Sequence, residues 1–383
     1  MSRVLLTGLL LITFAVPSAE AAPTRRPGPP PADLAQRLAK MDRHQKFGRI
    51  SVATRGALSD SSEDGSGRIR TIPNWKGSFT SAGVVYPFTM AGKNPRRGDE
   101  TRIDSSLIVL SFLFDEFVDE NGNNIVIDSS DIVDDFLGSP NFIKTRYANG
   151  VAQFSDSLQR ASFFRVMQPD WHTTVEKPRM LTPVTIEVPP GLAQVFTVDG
   201  TLVAQVDDAF FNSQLNTIFQ LEDIRPEEVP MLLSHNVFTM FALGFHGAFD
   251  VTTKHGRPGV QTFLWTSWLD ESLFGPIFAD ATTLTHEVSE WMADPFIDNI
   301  VPEYSIPESG DPPFCSNLLE VGDAIEFLPN QMAPVTVHGK LYHTQVEATV
   351  QWFSRESPSS AFMGAYSWPD ITVQTTFSPP CPP

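Results

Sequence analysis

The sequence is short of cysteine, short of basic residues and short of long apolar runs, and each shortage closes off a class of protein. It has two cysteines, Cys315 and Cys381, in 383 residues. That number builds neither a multi-bridge scaffold nor a four-cysteine zinc knot, so any metal must rest on histidines and carboxylates. Lys and Arg total 27 against 45 Asp and Glu, a net charge of −18. A surface of that sign repels phosphate backbones and anionic lipid, which argues against nucleic acid as a partner. The uncharged apolar stretch Val4 to Val16 is about 13 residues long, too short for a bilayer that needs about 20. Residues 231–249 are interrupted by His235, Asn236 and His246, so no membrane span is expected in the mature chain. No Gly-x-Ser-x-Gly elbow and no Gly-x-x-x-x-Gly-Lys-Ser/Thr loop is present, which removes the common serine-hydrolase and nucleotide-binding signatures.

The chain does have material for a core: 41% hydrophobic residues, including 29 Phe. Its 32 Pro and 24 Gly predict short strands and many loops rather than a helical bundle. Residues 1–21 read as a secretory signal, with Arg3, the apolar stretch and small residues at Ala19 and Ala21. The expected location is extracellular or periplasmic. In that oxidising setting Cys315 and Cys381 are expected to bridge and pin the Pro-rich tail. Residues 22–70 read as a Pro-rich linker (23–31) followed by a short amphipathic helix (32–45) and a polar loop (59–67), a pro-segment or a stalk. Leu34, Leu38 and Met41 share one face of that helix. Residues 71–383 are expected to form a single secreted α+β domain on a mixed or antiparallel sheet. Strand patterns stand out at 106–114 and 184–188. The acidic turn 119–123 resembles a calcium loop, but Asn124 replaces the required Gly and Ser130 the closing Glu. It reads instead as a hairpin turn.

The most informative segment is 280–295. Asp280 suits an N-cap and Pro295 forbids continuation, which predicts a helix over about 281–293. Leu284, Val288 and Trp291 form its core stripe. His286 and Glu290, four apart, project from one side, with Glu287 beside them. The pattern offers two metal ligands and a carboxylate able to take a proton from a polarised water. The zinc-protease helix is H-E-x-x-H, whereas this chain has H-E-x-x-E. The extra carboxylate makes the ligand set harder, so zinc is expected first and calcium second. The competing expectation is a surface helix with solvated His and Glu.

Thirty residues downstream, Glu320 is the first choice for a third ligand and Asp323 the second, with Asp323 alternatively orienting an imidazole from outside. Gly322 between them reads as a bend. His246, between Gly244 and Gly247, is the candidate for oxyanion stabilisation. His338, His343 and Tyr366 are weaker candidates, and His44, His172 and His255 are assigned nothing.

His286-Glu287-Val288-Ser289-Glu290, Asp294-Pro295 and Glu320-Val321-Gly322-Asp323, with Phe245-His246-Gly247 and residues 351–355, resemble the pattern of exported bacterial HExxE proteins related to plant EXORDIUM-like, phosphate-induced proteins. The His-Glu helix alone is similar to that of the zincin peptidases. These resemblances imply a shared site on a zincin-like helix within an α+β fold. The expected function is a secreted metal-dependent, metallopeptidase-like hydrolase acting on a peptide or cell-surface polymer. Ligands would be His286, Glu290 and Glu320 with Asp323, and Glu287 would be the general base. The alternative is a non-catalytic extracellular, cell-wall-associated binding protein of EXORDIUM-like type. Carbohydrate hydrolysis by paired carboxylates is a third possibility.

Overall fold

A computed structural model describes residues 24–32, 34, 69–253, 256–306, 314–378 and 381. The signal segment, the 59–67 loop and all but the first residues of the 32–45 helix lie outside these. The architecture is α+β, built around one mixed sheet.

The sheet is organised by β1 (Ser105–Val118), whose run SSLIVLSFLF is almost wholly buried. A near-continuous apolar strand of this kind belongs between two covering layers. β2 (Asn124–Asp128) turns back antiparallel on its second half, and β3 (Val184–Val188) pairs parallel with 110–114. β4 (Val229–His235) pairs parallel with 105–109 and with β6 (Pro258–Trp268), while β5 (Gly244–Thr252) runs antiparallel to β6. The order is β3-β1-β4-β6-β5, so β5 is the terminal strand on this path. The 119–123 segment is a hairpin turn: Asp119 Oδ1 accepts the backbone N–H of Asn121 at 2.8 Å and of Asn123 at 2.9 Å.

Alternate residues of each strand serve opposite layers. Ile108, Leu110, Leu232 and Trp265 pack with Phe211, Leu215 and Ile218 of α2 (Asp208–Leu221), which follows α1 (Phe154–Ser162) in the chain. Leu107, Val109, Met231 and Leu264 pack with Leu284, Val288 and Trp291 of α3 (Thr282–Ala293). Each fully buried side chain of this size contributes roughly 1.5–3 kcal/mol. All 12 residues of α3 are buried, not its apolar stripe alone. Ser289 Oγ meets Ser155 Oγ of α1 at 2.9 Å, and Gln159 donates to the Met292 carbonyl at 3.2 Å. α3 is therefore not a surface helix, and the expectation of solvated His and Glu side chains fails on burial.

The start of α3 also differs from expectation. Ala281 is the cap residue and no side chain caps the helix. Asp280, in the left-handed region at φ 38°, instead accepts from the backbone N–H groups of Ala281 and His343 and meets His343 Nδ1 at 2.7 Å. It ties the helix start to the C-terminal segment.

A third core lies beyond α3. The hairpin Asn74–Ser81 and Val84–Ala91 contributes Phe88 and Met90, and the C-terminal part contributes Leu319, Val321, Ile325, Trp352 and Trp368. This core holds segments 319–326 and 345–348 against α3. Cys315 and Cys381 form a disulfide. Residues 24–31 are extended, as their prolines require, and are docked rather than free. Arg25 exchanges backbone hydrogen bonds with Glu116 and Val118 at 2.7 and 2.9 Å, and Gly28 accepts from Thr197 at 3.0 Å. Leu34 is buried beside Phe196 and Val203.

Candidate metal centre

α3 delivers His286, Glu287 and Glu290 to one side, and Asp294 follows at its C-terminal end. β5, packed beside α3, delivers His246. The approach is close enough that a Cβ on Gly244 would sit 2.8 Å from Glu287 Oε1. The turn after Leu318 delivers Glu320 and Asp323, and the strand Glu347–Ala348 delivers Glu347. All eight side chains are buried, with residual exposure of 8% for His246 and Glu320 and 4% or less for the rest.

Two ligand sets share Glu290. His286 Nε2 lies 3.1 Å from Glu290 Oε2 and 3.4 Å from Asp323 Oδ1. His246 Nδ1 lies 3.5 Å from Glu287 Oε2 and 3.9 Å from Glu290 Oε2. Glu320 Oε2 is 3.8 Å from the other nitrogen of His246. The structure thus groups Asp323, not Glu320, with His286 and Glu290, and places Glu320 beside His246. Four ligand atoms about 2 Å from a tetrahedral ion are themselves ~3.3 Å apart, and the distances from His286 Nε2 to Glu290 and Asp323 have that spacing, with all three atoms within 4.8 Å of one another. A third set, Glu303 with Cys315 and Cys381, is ruled out because both sulfurs are used in the disulfide.

The chain holds these groups in place with backbone and amide contacts. Glu290 Oε1 accepts from the backbone N–H groups of Gly322 and Asp323 at 3.0 and 3.1 Å, which leaves Oε2 to face the imidazoles. His286 Nδ1 meets Gln345 Oε1 at 3.2 Å, and Gln345 Nε2 donates to the Gly322 carbonyl at 2.7 Å. Gly322 serves by its lack of bulk rather than as a flexible bend. A Cβ there would lie 2.4 Å from His286 Nδ1 and 2.8 Å from Glu347 Oε2. Only glycine lets the turn close over the imidazole.

The electrostatics are lopsided. Among the described residues no lysine or arginine pairs with Glu287, Glu290, Asp294, Glu320 or Glu347. Burial, reinforced by neighbouring carboxylates, pushes Glu320 well above the usual carboxylate range. Burial likewise raises Glu347, outweighing the nearby His286, and raises Glu287 despite its His246 contact. Asp294 is pushed up to about 7, chiefly by burial and against the backbone N–H groups it accepts. Burial opposes charge on both histidines. Yet the Glu287 contact and Glu290 raise His246, and Glu290 with Asp323 holds His286 well above its ordinary value. Both oxygens of Glu347, Oε2 of Glu320 and Nε2 of His246 are buried without a hydrogen-bond partner. Buried polar atoms are rarely left so, and a cation or an added proton is what the carboxylate oxygens among them require.

Gln345 and Glu347 were not singled out by sequence. The alternation Gln-Val-Glu, with Val346 in the core, carried the signal, since it turns both polar side chains to one side of an extended segment. The weaker candidates have other employment. His343 holds Asp280, exposed His338 sits in a hairpin turn, and Tyr366 donates to the Glu356 carbonyl at 2.7 Å. His172, 2.6 Å from Asp156, lies outside the cluster, and His44 and His255 lie outside the described residues.

In comparisons with known families, curated proteins and solved structures, nothing matches this chain.

Proposed function

We propose that the chain is an exported hydrolase that depends on a divalent cation, acting on peptide bonds. The observation that carries this reading is the charge imbalance: six buried carboxyl groups face two imidazoles. Such a cluster is costly to bury as it stands and is stabilised when a cation joins it. His286 Nε2, Glu290 Oε2 and Asp323 Oδ1 would hold the ion, with zinc first and calcium the harder alternative for so acidic a set. A cation there supplies a Lewis acid that polarises a carbonyl and makes water more acidic.

The remaining groups suit proton handling. Glu287, whose raised pKa favours proton uptake, would take a proton at Oε2 from the attacking water and pass it to the departing amine. His246, kept protonated by Glu287 and Glu290, offers an N–H for the oxygen that gains charge. Gln345 and the two backbone N–H groups on Glu290 fix the set in advance of substrate. β5, the terminal strand on its path, carries His246 in its buried half.

The near-complete burial of His286, at 2% exposure, favours one second reading: an extracellular binding protein in which the ion is structural. One experiment covers both. Metal analysis of purified protein beside His286→Ala should give near-stoichiometric divalent metal in the first and its loss in the second. Peptidase activity should then fall at least a hundredfold in Glu287→Gln with folding retained. Metal without any Glu287-dependent activity would select the structural reading, and absence of metal would reject both.

A further inference from the structure

We infer that a second site, independent of the acid cluster, binds an acidic saccharide. A cavity of about 350 Å³ lies between the 74–91 hairpin, the end of α1 and residues 350–360, a size suited to a small ligand. Its floor is aromatic: Trp75 packs edge-on against Phe88 and Phe163, with centroids 5.4 and 5.2 Å away, and Phe79 lies alongside. Rings of this kind accept the C–H face of a sugar.

Two wall residues keep a buried polar atom without a partner. Gln351, 6% exposed, donates through Nε2 to the Ser162 carbonyl at 2.7 Å and to Ser360 Oγ at 3.3 Å, and its Oε1 is left over. The Trp75 indole N–H likewise has no acceptor. Both atoms lie just behind the cavity wall, and a donor and an acceptor left over in lining residues are what hydroxyl groups, which give and accept hydrogen bonds, would satisfy on side-chain adjustment. Asn94 and Glu356 add further groups able to bond vicinal hydroxyls.

The charge comes from the rim. Arg96 and Arg165 line the cavity, are exposed, and form no ion pair among the described residues. Two unpaired guanidiniums against the one carboxylate of Glu356 leave the cavity net positive, which suits a ligand carboxylate that arginine binds in bidentate fashion. The sugar class indicated is therefore one bearing a carboxylate, such as a uronic acid. Gln351 and Ser354 fall in the 351–355 stretch that the cation site leaves unused.

Calorimetric titration of the full chain with a trisaccharide of galacturonic acid tests this, beside the glucose trisaccharide and a tripeptide ending in Phe, with chelator present throughout. The acidic trisaccharide should bind at least tenfold more tightly than the neutral one. The exposed double variant R96A/R165A should lose that preference while its melting temperature stays unchanged, and Gln351→Leu should weaken both sugars. Equal affinity for the two sugars, tighter binding of the peptide, or no binding of any ligand would overturn the proposal. The chelator keeps this result separate from the fate of the cation site.

Discussion

With no cation bound, the protein should lose stability as pH rises from 5 to 7.5, the reverse of the usual acid denaturation. Asp294 ionises near 3.8 in an unfolded chain and at about 7 in the fold. Between those values the native state holds a proton that the unfolded state has released, so stability falls as pH climbs. From pH 5 to 7 the loss is about 2 kcal/mol, since the slope of about 1.4 kcal/mol per unit halves as pH reaches the folded value, or roughly 3 °C in melting temperature for a chain of this size. The raised values of Glu287, Glu320 and Glu347 act in the same sense. So do those of His246 and His286, whose contribution is complete below about 6.5 and fades as pH passes their folded values. Glu100, held at about 2 by Lys144 and Arg102, has the opposite sign. Its window closes below pH 5, which is why the titration begins there. A bound cation requires deprotonated ligands, so saturating metal should flatten or invert the slope. Differential scanning calorimetry of chelated and metal-loaded protein at several pH values reads this directly, and Asp294→Asn should remove part of the slope. A melting temperature that is flat or rises with pH in the chelated protein would refute the account.

Other perturbations have defined outcomes. Gly322→Ala should drive a methyl group into His286 and Glu347, costing roughly 1–3 kcal/mol by overpacking and weakening metal affinity at least tenfold, readable by competition with a chromogenic chelator. Gln345→Leu should leave the fold intact but weaken metal binding about 10–100-fold, because the imidazole loses its orienting partner. Replacing Cys315 and Cys381 by serine opens a loop of 66 residues, for which chain entropy gives at most about 4 kcal/mol. Urea denaturation of reduced and oxidised protein should show the same difference. Asp280→Ala should lower stability by roughly 1–3 kcal/mol, since it strands the His343 backbone N–H and frees the C-terminal segment from the start of α3.

The elements with a strong local pattern were legible in the sequence. The 106–114 and 184–188 runs are strands because β-branched and aromatic residues fill them, and Val184–Val188 keeps those bounds in the structure. The 119–123 turn and the helix up to Ala293 follow from local chemistry as well. What was not legible comes from contacts between distant segments. Nothing local to 282–293 shows that its polar face is covered, because the cover is supplied by the turn at 320–323 and by Glu347, some thirty to sixty residues later. Asp280 has the composition of a cap and an occupation set by His343, 63 positions away.

Gly322 shows the same limit in its sharpest form. A glycine between two acids reads as a bend, yet its φ is not among the positive values and its office is to leave room for an imbalance of charge to assemble. A protein under no demand to hold a cation would gain by filling that space and neutralising those acids with apolar residues, as buried ionic clusters commonly tolerate. Here the chain does the opposite in three places. It keeps the space at Gly322, buries Glu347 with neither oxygen bonded, and commits two backbone N–H groups to one oxygen of Glu290 so that the other faces inward. Costly burial of this kind is tolerated where something is to be bound, which is why the cluster and not the fold around it carries the functional reading.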